Sequence, residues 1–177
     1  MTKTKWAVDS AHSSVDFSIR HMMIANVKGT FHDFSAEVVA DVNDLTSASI
    51  EFVVKIDSID TRNKDRDAHL LSSDFFDAEK YPTMNFQSTS IQKKDEGEYE
   101  VTGNLSLHGY TNQETFTVAF EGQGKDPWGN EKAGFSAEGT INREDYGLTW
   151  NSALETGGVL VGDKVKINLQ IEAAKAE

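Results

Sequence analysis

Five histidines, His12, His21, His32, His69 and His108, are the side chains of this sequence best suited to hold a metal ion or move a proton near neutral pH. No two of them stand at the close spacing that marks common zinc sites, and no metal site is read. The chain has no cysteine, which removes thiolate metal sites, disulfides and cysteine nucleophiles together. His69 follows Asp65 by four residues, so on a helix the two share one face, a pairing that is usually an ordinary surface interaction. His21 alternates in step with Phe17 and Ile19 and reads either as a core histidine or as a polar contact for the headgroup of a ligand.

Other stretches imitate catalytic motifs and stop short. Gly157-Gly158-Val159-Leu160-Val161-Gly162 has the glycine spacing of a phosphate loop, but Asp163 stands where lysine is required, and the context is that of a hairpin. Gly134-Phe135-Ser136-Ala137-Glu138 begins like a nucleophile elbow without its closing glycine, leaving Ser136 as an outward strand residue. Arg143-Glu144-Asp145-Tyr146-Gly147 is harder to set aside. An arginine at the rim of a barrel either reads an anionic headgroup through paired hydrogen bonds or tethers Asp145 and shapes the turn. No catalytic set and no cofactor site emerge, so the chain is not expected to be an enzyme.

The elements that would position these groups are strands. Period-two alternation runs through the chain, as in half-buried antiparallel strands. After a short strand near Trp6, one face collects Val15, Phe17, Ile19 and His21; the next segments collect Phe34, Ala36, Val38 and Ala40, then Ala48, Ile50, Phe52, Val54 and Ile56. Later rows are Met84 and Phe86; Val101, Gly103, Leu105 and Leu107; Phe116, Val118 and Phe120; Ala133, Phe135, Ala137, Gly139 and Ile141; and Val165, Ile167, Leu169 and Ile171. Between residues 64 and 80 alternation lapses and acids lead each piece, which predicts a helical insert of two short turns. Arg62-Asn63-Lys64-Asp65-Arg66, diluted by acid, reads as solvated loop.

About eight strands in 177 residues with no linker or repeat make one domain spanning 1–177. The fold expected is all-β, an extended eight-stranded antiparallel lipocalin-like barrel, whose closure removes exposed edges. Strands of about eight to ten residues make a tall tube against the usual five or six, and Ala36, Ala40, Ala48, Gly103, Ala133, Ala137 and Gly139 at inward positions leave room. Two interiors remain open: one filled by phenylalanines interdigitating with alanine and glycine, and one enclosing a cavity. For a cavity, parity and the insert nominate as ligand-facing Phe17, Ile19, His21, Phe34, Phe52, Val54, Leu70, Phe75, Phe86, Leu105, Phe116, Val118, Phe120 and Phe135, with Arg143 at the mouth.

The formal net charge of -12 opposes binding to nucleic acid or to an anionic membrane face. The segment after Lys3 and Lys5 is polar, so no export signal is read and a cytoplasmic protein is expected. No apolar run approaches the roughly 20 residues that cross a bilayer, and stable membrane insertion is not expected.

The residues also resemble a known family. Asp9-Ser10-Ala11-His12-Ser13-Ser14-Val15-Asp16-Phe17-Ser18-Ile19-Arg20-His21 with Val27-Lys28-Gly29-Thr30-Phe31 is similar to the opening of YceI-like proteins. Asp74-Phe75-Phe76-Asp77, Tyr81-Pro82-Thr83-Met84-Asn85-Phe86-Gln87-Ser88, Gly103-Asn104-Leu105-Ser106-Leu107-His108-Gly109 and Arg143-Glu144-Asp145-Tyr146-Gly147-Leu148 follow in the family's order. The resemblance implies a lipocalin-like barrel that binds polyisoprenoid or related long-chain amphiphiles and has no catalytic residue set. Many members carry an export signal, and none is read in this sequence. The expected partner is therefore a long-chain isoprenoid or acyl lipid, bound, stored or carried inside the barrel, with a homodimer left open. Two alternatives stand beside it: a small enzyme acting on such a substrate through His12, His21 or residues 143–146, and a filled barrel acting as a stress or interaction protein.

Overall fold

Each alternating row becomes a strand, and the strands outgrow the rows. A computed structural model describes residues 3–22, 24–41, 43–151 and 160–176. In chain order its elements are β1 (Thr4–Val8), β2 (Ser14–His21), β3 (Ala25–Phe31), β4 (Phe34–Asp41), β5 (Asp44–Lys55), β6 (Ile59–Asp60), α1 (Lys64–Leu71), β7 (Thr83–Asp95), β8 (Glu98–Leu107), β9 (Tyr110–Lys125), β10 (Glu131–Asn142) and β11 (Val161–Lys175). The phosphate-loop lookalike, read as a hairpin, falls partly outside the described residues.

The sheet closes on itself as an eight-stranded antiparallel barrel. Its order is β1-β4-β5-β7-β8-β9-β10-β11, and β11 returns to β1 through Trp6 opposite Lys175 and Val8 opposite Ala173. β2, β3 and β6 are not further staves. β11 pairs with β1 at its C-terminal end and with β2 along the rest, so β1 and β2 are two halves of one stave, interrupted by a 3-10 turn at Ser10–His12. In the same way β3 leads into β4 across His32 and Asp33, and β5 into β6 across a 3-10 turn at Ile56–Ser58. The broken staves let tall strands bend around the barrel while the alternation resumes in phase.

We call the end holding Trp6 and Lys175 lower and the end holding His21 and Val161 upper. At the upper end β6 pairs only with β3 among the described residues, and α1 with its following turns packs beside it. Asn63 caps α1 by accepting from the Arg66 amide, and Asp67 accepts from both the amide and the hydroxyl of Thr61. Only the first piece of the expected insert is helix; residues 73–80 form turns, folded back by the Asp77 and Ala78 amides onto Ser72 and Leu71. The run read as solvated loop is corrected from Lys64 onward, where the cap starts the helix.

The break between β1 and β2 is tied to β11. The Ser13 hydroxyl donates to the Glu172 carbonyl and accepts from the Glu172 amide. His12 Nδ1 lies 2.8 Å from Asp9 and 3.4 Å from Glu172, with Lys132 3.6 Å from Asp9. The hydrogen bond His12 donates to Asp9, then the charges of Asp9 and Glu172, hold His12 above its ordinary pKa of 6.5. The same bond leads the causes that hold Asp9 below its ordinary 3.8. His12's contribution to stability is complete below 6.5 and is lost as pH rises through the raised value; Asp9's is complete above 3.8 and is lost as pH falls through the lowered one. Between those limits the tie holds fully, so His12→Ala is expected to flatten the fall in stability from about pH 6 to 9, the span in which a raised histidine gives up its proton. Urea midpoints measured across that span for both proteins check it, and superimposable profiles would show that the tie contributes nothing.

Candidate functional site: an apolar cavity inside the barrel

The inward rows of the barrel do not meet in the middle. Phe17, Phe52, Phe86, Phe116 and Phe135 all point inward yet are only half-buried, because they face an internal cavity of about 590 Å³. This decides between the two interiors the sequence left open. The cavity runs from Ala40 and Leu45 near the lower end to α1 and Trp150 at the upper.

Two glycines show how the lumen stays clear. A Cβ at Gly139 would stand 2.5 Å from Phe116 Cδ1, and one at Gly103 would stand 2.6 Å from Phe86 Cζ. Each ring lies down on a glycine of the wall instead of crossing the lumen, and the two rings meet edge to face at 5.3 Å. Gly103 and Gly139 thus serve the cavity by receiving rings, whereas Ala36, Ala48 and Ala137 line it directly.

Of the residues that parity nominated, all but Phe34 and Phe120 line the cavity. Phe34 is buried, with its ring stacked 5.8 Å from that of Phe52. Phe120 packs against Phe135 at 5.3 Å and against a lower layer of Trp6, Ala40, Leu45, Ala133 and Ala173 that floors the cavity. A bulge at Gly134 and Phe135 turns β9 and β10 there, and parity alone could not reveal it.

The cavity is polar only toward its upper mouth. There His21, in the inward row of β2, and Asn63, Asp65, Arg66 and His69 of the insert line it. Sequence reasoning named Leu70 of α1 but missed the polar residues beside it, although residues 63, 66 and 70 have the spacing that brings them to one helix face. His69 is paired with Asp74 at 3.0 Å, not with Asp65. Its ring lies edge-on to Phe75 and Trp150, at 5.1 and 4.8 Å. Trp150 was also missed, because no alternating row contains it.

Arg143 does something other than either reading of the sequence. It is 2% exposed, and its guanidinium donates to four backbone carbonyls: Leu148 at 2.5 Å, Trp150 at 2.9 Å, Gly162 at 2.8 Å and Val161 at 3.4 Å. Asp163 lies 3.9 Å away, and Asp145 is not its partner; the Asp145 carbonyl instead accepts from Asn112. Arginine therefore staples residues 148–150 to residues 161–162 at the upper rim, and Asn151 adds two hydrogen bonds to Val161. Burial draws the guanidinium pKa down while Asp163 and Glu144 push it back, and it remains a cation at neutral pH. Tyr146, fully buried, donates to Glu114 across the upper gap between β9 and β10; burial first, then this bond, raises its phenol far above the ordinary value.

Comparison with known proteins agrees with this architecture. A family model described as the YceI-like domain matches residues 6–173. A UPF0312 protein of Staphylococcus epidermidis is 45% identical over 170 residues, covering 96% of each chain. The crystal structure of Burkholderia cenocepacia BcnA superposes with a TM-score of 0.82 at 26% identity, covering 93% of this chain and 98% of its own. A polyisoprenoid-binding domain from Saccharophagus degradans superposes with a TM-score of 0.71 over 97% of this chain and 98% of its own; at 12% identity it shares the fold.

Arg143→Gln tests the staple. Truncating the guanidinium leaves buried carbonyls unpaired and is expected to cost about 3 kcal/mol, lowering Tm by roughly 6 to 12 °C. Binding of neutral and anionic long-chain ligands should weaken alike, or not at all. Unchanged Tm with selective loss of the anionic ligand would return Arg143 to the role of headgroup reader.

Proposed function

The chain belongs to the YceI-like family, and we propose that it binds, stores or carries a long apolar chain of the polyisoprenoid or fatty-acyl type within its barrel, without converting it. The observation that carries this reading is the cavity of about 590 Å³ walled by inward phenylalanines and aliphatic side chains. That volume lies in the range of small-molecule sites. An extended lumen with an apolar wall selects by length and hydrophobicity. Each methylene taken from water contributes about 0.8 kcal/mol, so a long chain binds without a polar anchor, offset in part by the cost of ordering it.

The polarity gradient orients the ligand. The chain lies toward the floor, and its polar end stays with His21, Arg66 and His69 at the upper mouth. Against the enzyme reading stands the commitment of the polar groups: His12 belongs to the tie outside the cavity, Arg143 is bound to carbonyls, and Tyr146 is bound to Glu114. Of the polar groups the enzyme reading named, His12, Arg143 and Tyr146 are thus held by other parts of the fold.

Solvent extraction of purified protein followed by mass spectrometry tests the proposal. A long-chain lipid in near-stoichiometric amount, or saturable uptake of added prenyl or fatty compounds, is expected; neither would overturn it. Phe52→Asp and Phe116→Asp should each weaken uptake at least tenfold, because an unpaired carboxylate in an apolar lumen is costly to desolvate. Circular dichroism at matched fold guards the comparison, and a folded variant that binds fully would show that the lumen is not the site.

A further inference from the structure

Arginines at the upper mouth differ in what already holds them. Arg143 is spent on backbone carbonyls. Arg20 alternates with the inward His21 and so belongs to the outer face of β2. Arg66 of α1 lines the cavity and is half-buried. Among the described residues its guanidinium makes one hydrogen bond, from Nη1 to the Thr61 carbonyl at a long 3.4 Å, and no ion pair of the described residues includes it.

The acids of the insert are turned elsewhere. Asp67 is held by the amide and hydroxyl of Thr61, and Asp74 lies 3.0 Å from His69. Asp65 stands exposed at the rim. Asn63 gives its side-chain oxygen to the Arg66 amide, which leaves its NH2 group as a further donor. The same cap and the bonds between Asp67 and Thr61 fix the first turn of α1 against the end of β6, so Arg66 is presented by an anchored element.

The fold thus brings a planar fork of donors to one end of an otherwise apolar lumen and supplies it with no carboxylate of its own. A guanidinium drawn partly out of water attracts an opposite charge more strongly than one in open solvent. Its place selects the kind of anion. With phenylalanines and aliphatic side chains below it, an anion at Arg66 has room to be the end of a chain that lies in the lumen.

We infer that Arg66 reads the headgroup of the bound chain and that this headgroup is an anion, a carboxylate or a phosphate, with the Asn63 amide and His21 as neighbouring polar contacts. The inference rests on the long-cavity reading and adds the charge of the ligand to it. In a chain of net charge -12 the general field repels anions, so a local cation at the mouth is what admits one. Arg66 takes the part that the sequence nominates for Arg143.

Three chains of equal length separate the outcomes: dodecanoate, dodecyl phosphate and neutral dodecanol. Arg66→Gln should weaken both anions about tenfold or more, as lost charge-assisted hydrogen bonds do, and leave dodecanol within about twofold. Arg66→Lys, which keeps the charge and loses the fork, should fall between. In the unaltered protein the Arg66 Nε–H resonance should move saturably with either anion and not with dodecanol, a readout that decides the matter even if Arg66→Gln fails to fold. The tighter of the two anions names the headgroup. Anion binding undiminished in Arg66→Gln, equal weakening of dodecanol and the anions, or a resonance that answers the three chains alike would overturn the inference and leave the long-cavity reading standing. Failure of all three chains to bind the unaltered protein would overturn both.

Discussion

Pairing of β11 with the broken stave of β1 and β2 is the contact on which the rest of the molecule depends. Without the registers that set Trp6 opposite Lys175 and Phe17 opposite Ile167, the sheet would be open, with two free edges and one face of phenylalanine turned to water. With them, the same alternating residues enclose a lumen. Closure involves β1 at the lower end and β2 above it, so the stave that completes the ring is also one that is broken, and the break is held by Ser13 and His12 against Glu172. The seam is thus reinforced by side chains where backbone pairing changes from β1 to β2.

Keeping that lumen empty of protein is a separate problem from closing it. Phenylalanines big enough to fill a barrel of this size are present on most staves, and a packed interior is the default for proteins. The rings of Phe86 and Phe116 are laid on Gly103 and Gly139, so the wall absorbs their volume. Burial is moved to the two ends: Ile56, Leu107, Ile141, Tyr146 and Leu148 pack at the upper end and Trp6 with three alanines at the lower. The two ends supply packing density while the middle supplies space.

The upper rim illustrates how a polar residue in a suggestive position can be structural. Arg143 sits near the mouth of the cavity with the right charge for a headgroup, yet each of its four hydrogen bonds among the described residues goes to a backbone carbonyl. A guanidinium has five donors in a planar fork, which suits it to gather carbonyls from two chain stretches at once. The polar groups left facing the lumen come instead from α1 and the end of β2.

Strand number, closure and the inward parity of nearly every stave were legible in the sequence, because side chains alternate strictly along a strand and burying one face selects apolar residues at every second position. The character of the lumen was legible for the same reason. What only the tertiary structure decided are the matters that depend on where chains cross. These are the breaks that make three staves from six strands, the bulge between Gly134 and Phe135 that shifts the inward parity of β9 beyond Phe120, the packing of Phe120 into the lower layer, and the partners of Arg143 up to nineteen residues away along the chain. Local alternation carries no information on them, since a bulge is a disagreement between two strands and a hydrogen-bond partner is fixed by distance in space. Whether the phenylalanines filled the barrel or lined it was of this kind too. It turned on the angle at which two rings lie against two glycines across the sheet.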